Sequence, residues 1–301
     1  MLIVFYNTIW DDPLSIPGSL PGGCHMSTDR SLMLSADAVV FHLPSLPVSL
    51  FSDGSLQRPA GQRWVAWSME SEIHYPQLAD SEFMAAFDLR MTYQLDSDVP
   101  VTYLPLHFST SIACPPGGGP LAFGQRSKVI ANAFISSSYD RSGREQLLRD
   151  LIELMPVDSF GSLYRNVEPT LDDDGIHFKL NTIARYKFTF AFENACSPDY
   201  VTEKFFQPLL VGSVPVVLGA PNHDVIAPGD QCYINVRDFD SPASLAAHLH
   251  EVANDGALYQ RYHAWRQRPI RPAFLALEAG QRRSAMRRLC DALLADAARE
   301  H

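Results

Sequence analysis

From Phe192 to Lys204 the chain reads FENACSPDYVTEK, and Glu193, Asn194, Tyr200, Glu203 and Lys204 crowd the end of a phenylalanine-rich run. A packed core has little use for so many polar groups, because each must be hydrogen-bonded or paired once it leaves water. A site that holds an anion and a sugar does use them. Free N–H groups and the dipole at a helix start favour phosphate, and Lys204 adds a full charge. Glu203 can accept hydrogen bonds from a ribose, and Tyr200 can stack on or hydrogen-bond a base or sugar. Arg144 repeats the arrangement after an earlier strand, so Arg144 and Lys204 together could clamp a diphosphate. The alternative is a capped helix whose Glu203 and Lys204 are merely solvated.

The elements that position these residues alternate. Lys128–Ile135, the segment VDSFG, Lys187–Phe192 with Phe188, Phe190 and Phe192 in alternation, VPVVLG and CYINV read as strands. Between the first two, SGREQLLRDLIEL places Leu147, Leu148, Leu151 and Ile152 on one helical face, and Ser142 with Glu145 predicts a capping box starting at Ser142. A short helix ending near Gly212 follows the polar cluster, with Pro208 expected to kink it. Ser241 and Pro242 open another helix. In the N-terminal part Leu2–Tyr6, Ala38–His42, Arg63–Ser68 and Phe87–Tyr93 are strand-like.

Strand–helix–strand units in series imply a parallel sheet with ligands beyond its carboxyl edge. The expected fold class is α/β, two Rossmann-like domains facing a cleft. The glycine- and proline-rich CPPGGGP at 114–120 marks the expected boundary: residues 1–119 and 120–270 form the domains, and 271–301 a helical tail packing across them.

The 301 residues are 46% hydrophobic and 19% charged, which describes globular domains with a full core. A formal charge of −10 opposes general nucleic-acid binding. No apolar run reaches the roughly 20 residues of a membrane span. MLIVFYNTIW lacks a basic leader and reads as a strand. Five scattered cysteines without metal-ligand spacing favour a reducing cytoplasm.

The stretch YKFTFAFENACSPDYVTEKFFQPLLVGSVPVVLGAPN resembles the signature of the α1,3/4-fucosyltransferases, inverting enzymes of the GT-B type that use GDP-fucose. WVAWSMES, MTYQLDSDVPVTY, VDSFG and INVRDFDSPASLAAHL resemble further motifs of that family, in the right order from Arg63 to Trp265. The resemblance implies that Arg144, Asn194, Tyr200, Glu203 and Lys204 bind GDP-fucose in the second domain. It also implies that Glu70 is the general base, beside an acceptor glycan held by the first. Partial burial near Trp64 or Trp67 would raise the Glu70 carboxyl toward neutrality. Glu193, Glu72 and Tyr93 are further candidates. Glu72 and Gln94 depart from the family pattern, which has proline and arginine there. The absence of an N-terminal anchor suggests a bacterial-style soluble enzyme, cytoplasmic or peripheral at the inner membrane face. With such cationic donors no divalent metal is required.

Two other readings of the site stay open: a transferase for another GDP-sugar, and a module that binds nucleotide or glycan without turnover. The acidic runs at Asp96–Asp98 and Asp172–Asp174 suggest a turn and a solvated loop rather than a metal site. His42, His74 and His107 sit near N-terminal strand ends, where each could help bind acceptor or serve as an auxiliary base, but a structural role is the first reading. The C-terminal QRRSAMRRLCDALLADAARE gathers Met286, Leu289, Cys290, Leu293 and Leu294 on one face, suited to packing across the two domains or in a dimer, or to peripheral contact with an anionic membrane.

Overall fold

The computed structural model describes every residue except 114–118, 169–174 and 300–301. The Asp172–Asp174 run and most of the expected linker thus lie outside the described residues. The chain forms two compact units, Met1–Thr102 with Gly280–His301, and Tyr103–Ala279.

In the first unit β1 (Leu2–Phe5), β2 (His25–Ser27), β3 (Ala38–His42), β4 (Arg63–Ser68) and β5 (Leu89–Thr92) form one parallel sheet in the order β2-β1-β3-β4-β5. The short α1 (Ser81–Met84) precedes β5. β2 was not expected from sequence: it is three residues long with no fully buried position, so it carries no apolar alternation.

The second unit contains β6 (Ala131–Ala133), β7 (Val157–Ser159), β8 (Phe188–Phe192), β9 (Val214–Leu218) and β10 (Ile234–Asn235), again all parallel. Their order, β10-β9-β8-β6-β7, is the winding of the first sheet repeated. Around them lie α2 (Phe108–Ala113), α3 (Arg144–Leu154), α4 (Ile176–Ala184), α5 (Glu203–Val211), α6 (His223–Ile226), α7 (Pro242–Asn254), α8 (Gly256–Arg261) and α9 (Pro272–Gly280). Phe188, Phe190 and Phe192 pack with Leu148 and Leu151 of α3 and with Leu245 and Leu249 of α7. A strand of period two and helices of period 3.6 thus close one core.

Three local expectations need correction. The unit boundary falls at Thr102/Tyr103, ahead of the glycine-rich segment, because buried Phe108 of α2 packs against Phe206 and Phe274 of the second unit. The predicted tail divides. α9 stays with the second unit, whereas α10 (Ala285–Ala297) belongs to the first, with Leu289, Cys290 and Leu293 buried among Ile3, Phe5, Val40 and Val65. Gly22, at φ 61°, lets the chain pass over α10, since a Cβ there would sit 2.4 Å from Leu294 Cδ1. The apolar face that membrane contact would need is therefore covered by the protein itself. Among the described residues no helix is long and apolar enough to cross a membrane.

The third correction concerns α3, which begins at Arg144 with no Ser142–Glu145 capping box. Asp140 caps it instead, accepting from the N–H groups of Ser142 (2.8 Å), Gly143 (3.0 Å) and Glu145 (3.0 Å). α5 runs through Pro208 to Gly212, whose N–H donates to the Pro208 carbonyl at 2.9 Å. The proline removes only the bond that would return to Lys204, one turn from the helix start.

Packing of α10 makes one direct prediction. Leu293→Ala should destabilise the first unit by about 2–5 kcal/mol, the range for an emptied aliphatic core site. Urea unfolding followed by tryptophan fluorescence checks it, because Trp64 and Trp67 lie in that unit's core.

Candidate functional site

The winding places a crevice between the first and third strands of each sheet, where successive connections leave in opposite directions. In the second unit the loop after β6 and the end of β8 meet there. Glu193 follows β8 directly and is 1% exposed, a buried carboxylate. Its Oε1 accepts from the Thr202 N–H at 2.7 Å and its Oε2 from the Thr202 hydroxyl at 2.9 Å. Lys204 Nζ lies 3.5 Å from Glu193 Oε2 and 3.2 Å from Glu203 Oε1, and donates to Thr202 Oγ1 at 3.0 Å. Thr202 is also the N-cap of α5, accepting from the Lys204 N–H. Gly219 leaves room for this, since a Cβ there would meet Glu193 Cγ at 2.8 Å.

Lys179 of α4 completes the cluster with Nζ 3.7 Å from Glu203 Oε1 and 5.8 Å from the centre of the Phe134 ring. Sequence reasoning missed this lysine. It follows a polar insertion and its nearest chain neighbours advertise nothing; only the contact between α4 and α5 brings it in. Glu193, Lys204, Glu203 and Lys179 therefore alternate in sign along one edge.

Burial pushes the Glu193 carboxyl above its ordinary range, against the Lys204 ammonium and the Thr202 hydrogen bonds. Burial acts downward on Lys204 but is outweighed by Glu193 and Glu203, so its pKa rises. Burial lowers Lys179, partly offset by Glu203. For Glu203 burial acts upward, yet Lys204 and Lys179 prevail and its pKa falls below the ordinary 4.5. A carboxyl held lower in the folded state contributes stability above its unfolded pKa and loses it as pH falls through the folded one. Acid unfolding below about pH 4.5 should therefore be shallower in Glu203→Gln than in the parent, as followed by circular dichroism.

The remaining expected donor-site residues sit around this edge. Arg144 is 3% exposed and its guanidinium donates to the carbonyls of Ser137 (2.8 Å), Tyr139 (3.3 Å) and Phe192 (3.4 Å). It braces the loop after β6 against the end of β8. Asn194 is half-buried, and its carbonyl accepts from the Arg141 N–H at 2.8 Å. Tyr200 is 3% exposed and meets Tyr103 edge to face at 6.3 Å, a buried ring rather than an open stacking surface. The loop before it is fixed by Asp199, at φ 64°, whose N–H and carboxylate exchange hydrogen bonds with Asn222 at 2.9 and 2.7 Å. Asp is among the residues that tolerate this left-handed backbone.

In the first unit Glu70 is half-buried just after β4; its N–H donates to Ser68 Oγ at 3.0 Å, and Ser68 Oγ donates to its carbonyl at 2.9 Å. Glu70, Glu72, Arg90, Tyr93 and Gln94 line one narrow recess, where the Tyr93 hydroxyl donates to Glu72. Both departures from the family pattern thus fall in the Glu70 recess. Trp64 and Trp67 do not line it; they pack into two separate core clusters. The crevice between β1 and β3 holds other residues. Asn7 bridges to the backbone of His42 by two 2.9 Å bonds, and Trp10, 53% exposed, meets the His42 ring edge-on.

His42 is buried and pushed down to about 4 by burial, consistent with a neutral structural role. His74 is likewise buried, whereas His107 belongs to the second unit and is exposed. Asp96 and Asp98 form the expected turn: Asp98 accepts from the Arg90 N–H at 2.7 Å and Asp96 pairs with Arg90 at 3.3 Å. Among the described residues no group of three or more His, Cys, Asp or Glu side chains is arranged to hold a metal.

Comparison with known proteins places this architecture. Residues 124–301 match the family model "Glycosyltransferase family 10 (fucosyltransferase) C-term" and residues 1–104 match "Fucosyltransferase, N-terminal". The chain is 34% identical over 248 residues to 4-galactosyl-N-acetylglucosaminide 3-alpha-L-fucosyltransferase 9 of Rattus norvegicus, covering 81% of this chain and 64% of the rat protein. It is 36% identical over 277 residues to Alpha-(1,3)-fucosyltransferase 7 of Homo sapiens, covering 89% of this chain and 75% of the human one. The match spans a little under two thirds of the rat protein's length. Two crystal structures of alpha1,3-fucosyltransferase share the fold. One has TM-score 0.56 at 14% identity over 89% of this chain and 81% of its own. The other, with GDP-fucose, has 0.54 at 15% over 79% and 71%. The two parallel α/β units are those of the GT-B class, and the chain belongs to glycosyltransferase family 10, the fucosyltransferases.

Proposed function

We propose that the protein is an α1,3-fucosyltransferase that moves L-fucose from GDP-fucose to a hydroxyl of a glycan acceptor, with inversion at the transferred carbon. The observation that carries this reading is the Lys204–Glu203–Lys179 cluster, set at the start of α5 beside the end of β8. In the proposed donor complex Lys204, Lys179 and the free N–H groups of the first turn of α5 neutralise the diphosphate. They matter most as the bond to fucose breaks, when negative charge gathers on the leaving GDP. Glu203 orients the sugar end of the donor, and Glu193 sets the position and charge of Lys204.

Arg144 acts through the loop it braces and through its charge, while Asn194 and Tyr200 shape the same edge. Glu70 takes the proton of the acceptor hydroxyl as its oxygen bonds to the fucose carbon and GDP departs. The proton ends on the Glu70 carboxylate and the electron pair on the diphosphate. A metal ion is not required in this scheme, because the lysines and the helix start supply the positive potential.

The test is incubation with GDP-fucose and an N-acetyllactosamine acceptor in buffer containing EDTA, with the product analysed by NMR. An α-linked fucose on the 3-hydroxyl of N-acetylglucosamine is expected. Equal transfer from GDP-mannose, or a retained β configuration, would contradict the proposal.

A further inference from the structure

The opposite edge of the second sheet, ahead of the strands, carries a different cluster. Arg126, 7% exposed, donates to the carbonyls of Ala184 (3.1 Å), Tyr186 (2.9 Å) and Gly212 (2.7 Å). Arg266 donates to the Leu209 carbonyl. Both guanidiniums thus cover the C-terminal ends of α4 and α5, which explains part of their placement. Lys187, 8% exposed, lies with Nζ 4.9 Å from the centre of the Phe123 ring.

The charges do not balance. Two helix C-termini offer about half a negative charge each, roughly −1 against three formal positive charges. Among the described residues no carboxylate forms an ion pair with Arg126, Arg266 or Lys187, although the chain as a whole carries −10. Burial and the neighbouring Arg126 push Arg266 down to about 10, and the same two causes lower Lys187. Nε of Arg126, Nε of Arg266 and Nε2 of His263 are buried and have no hydrogen-bond partner. All three side chains line a recess of about 260 Å³, with Tyr259 and the exposed Gln260 and Gln267 at its walls. That volume lies below the range of about 300–1,000 Å³ usual for larger ligands and suits a small ion with its water.

We propose that this recess binds a small oxyanion of the phosphate class, held by Arg126, Arg266 and His263, at the edge of the sheet opposite Glu193 and Lys204. Such an ion would supply the missing negative charge beside the two guanidiniums. Nothing in the donor chemistry requires it, so it is a second, independent anion site.

The experiment follows thermal unfolding of the full chain with inorganic phosphate replacing chloride at constant ionic strength. It uses the parent, Lys204→Met, Arg266→Gln and Gln267→Glu. The parent midpoint should rise by at least roughly 5 °C at a phosphate concentration about 100 times the Kd. The rise should persist in Lys204→Met and vanish in Arg266→Gln. Gln267→Glu, an exposed change that folding tolerates, should raise the midpoint without phosphate and remove the phosphate increment, because the new carboxylate takes the ion's place. If Arg266→Gln does not fold, Gln267→Glu decides alone. A phosphate rise lost in Lys204→Met would assign the ion to the donor edge and overturn the proposal. So would no saturable rise in the parent, or a rise undiminished by Gln267→Glu.

Discussion

Replacing Glu193 with alanine is expected to destabilise the second unit by about 3–5 kcal/mol, the cost of removing one partner from a buried ion pair. Three losses combine. The buried Thr202 N–H and hydroxyl lose their acceptor, Lys204 loses one of its two carboxylates, and a void opens beside Gly219. Glu193→Gln keeps an acceptor for Thr202 and should cost less, about 1–3 kcal/mol. Urea titrations of both variants read the difference directly. An alanine variant within about 0.5 kcal/mol of the parent would mean the carboxylate is not the hub of this edge, since changes that small belong to ordinary surface sites.

Lys204→Met should have the larger functional effect. The methionine keeps most of the side-chain volume and removes the charge, leaving Glu193 buried with Thr202 alone. On the proposed mechanism the diphosphate loses a preorganised cation, and the loss of one such group typically lowers turnover by about 10²–10³-fold. Lys204→Arg should recover part of the rate, because the charge returns in a different shape. Steady-state kinetics with GDP-fucose distinguish this from a folding defect: kcat/KM should fall far more than the folded fraction does. Lys179→Met tests the neighbouring cation in the same way and should give a smaller loss, since among the described residues that ammonium pairs with one carboxylate, Glu203, where Lys204 pairs with two.

Much of this edge was legible in the sequence. The alternation of Phe188, Phe190 and Phe192 fixed a strand, and polar residues following a parallel strand must lie at its carboxyl edge. Ser241 and Pro242 announced α7 for equally local reasons, and both appear as N-cap and first helical residue. Where the reading failed, the deciding contact was distant in sequence. Ser142 and Glu145 have the spacing of a capping box, but Asp140 competes for the same N–H groups and wins. The glycine-rich segment looked like a boundary, yet it was the burial of Phe108 against Phe206 and Phe274 that assigned the preceding helix.

The split of the C-terminal tail could not be read either. The helical stripe of α10 says that one face is buried, not against what, and Ile3 and Phe5 lie almost the whole chain away. Lys179 and the Arg126–Arg266 cluster were invisible for the same reason: isolated basic residues acquire meaning only when the sheet gathers them at one edge. The site residues from the family resemblance divide along similar lines. Glu203 and Lys204 lie with Lys179 on one charged edge. Arg144 and Tyr200 are buried, and Arg144 braces the loop after β6 through three backbone carbonyls.

The most direct test of the donor edge is the thermal stability of the parent and Lys204→Met with GDP, GDP-fucose and UDP, in the presence of EDTA. A site occupied at about 100 times its Kd adds about 2.7 kcal/mol. The account predicts a saturable rise of that order with GDP and GDP-fucose, little with UDP, and its loss in Lys204→Met. A folded parent that gains nothing from guanine nucleotides, or a GDP rise that survives in Lys204→Met, would contradict the assignment of this edge to the donor diphosphate.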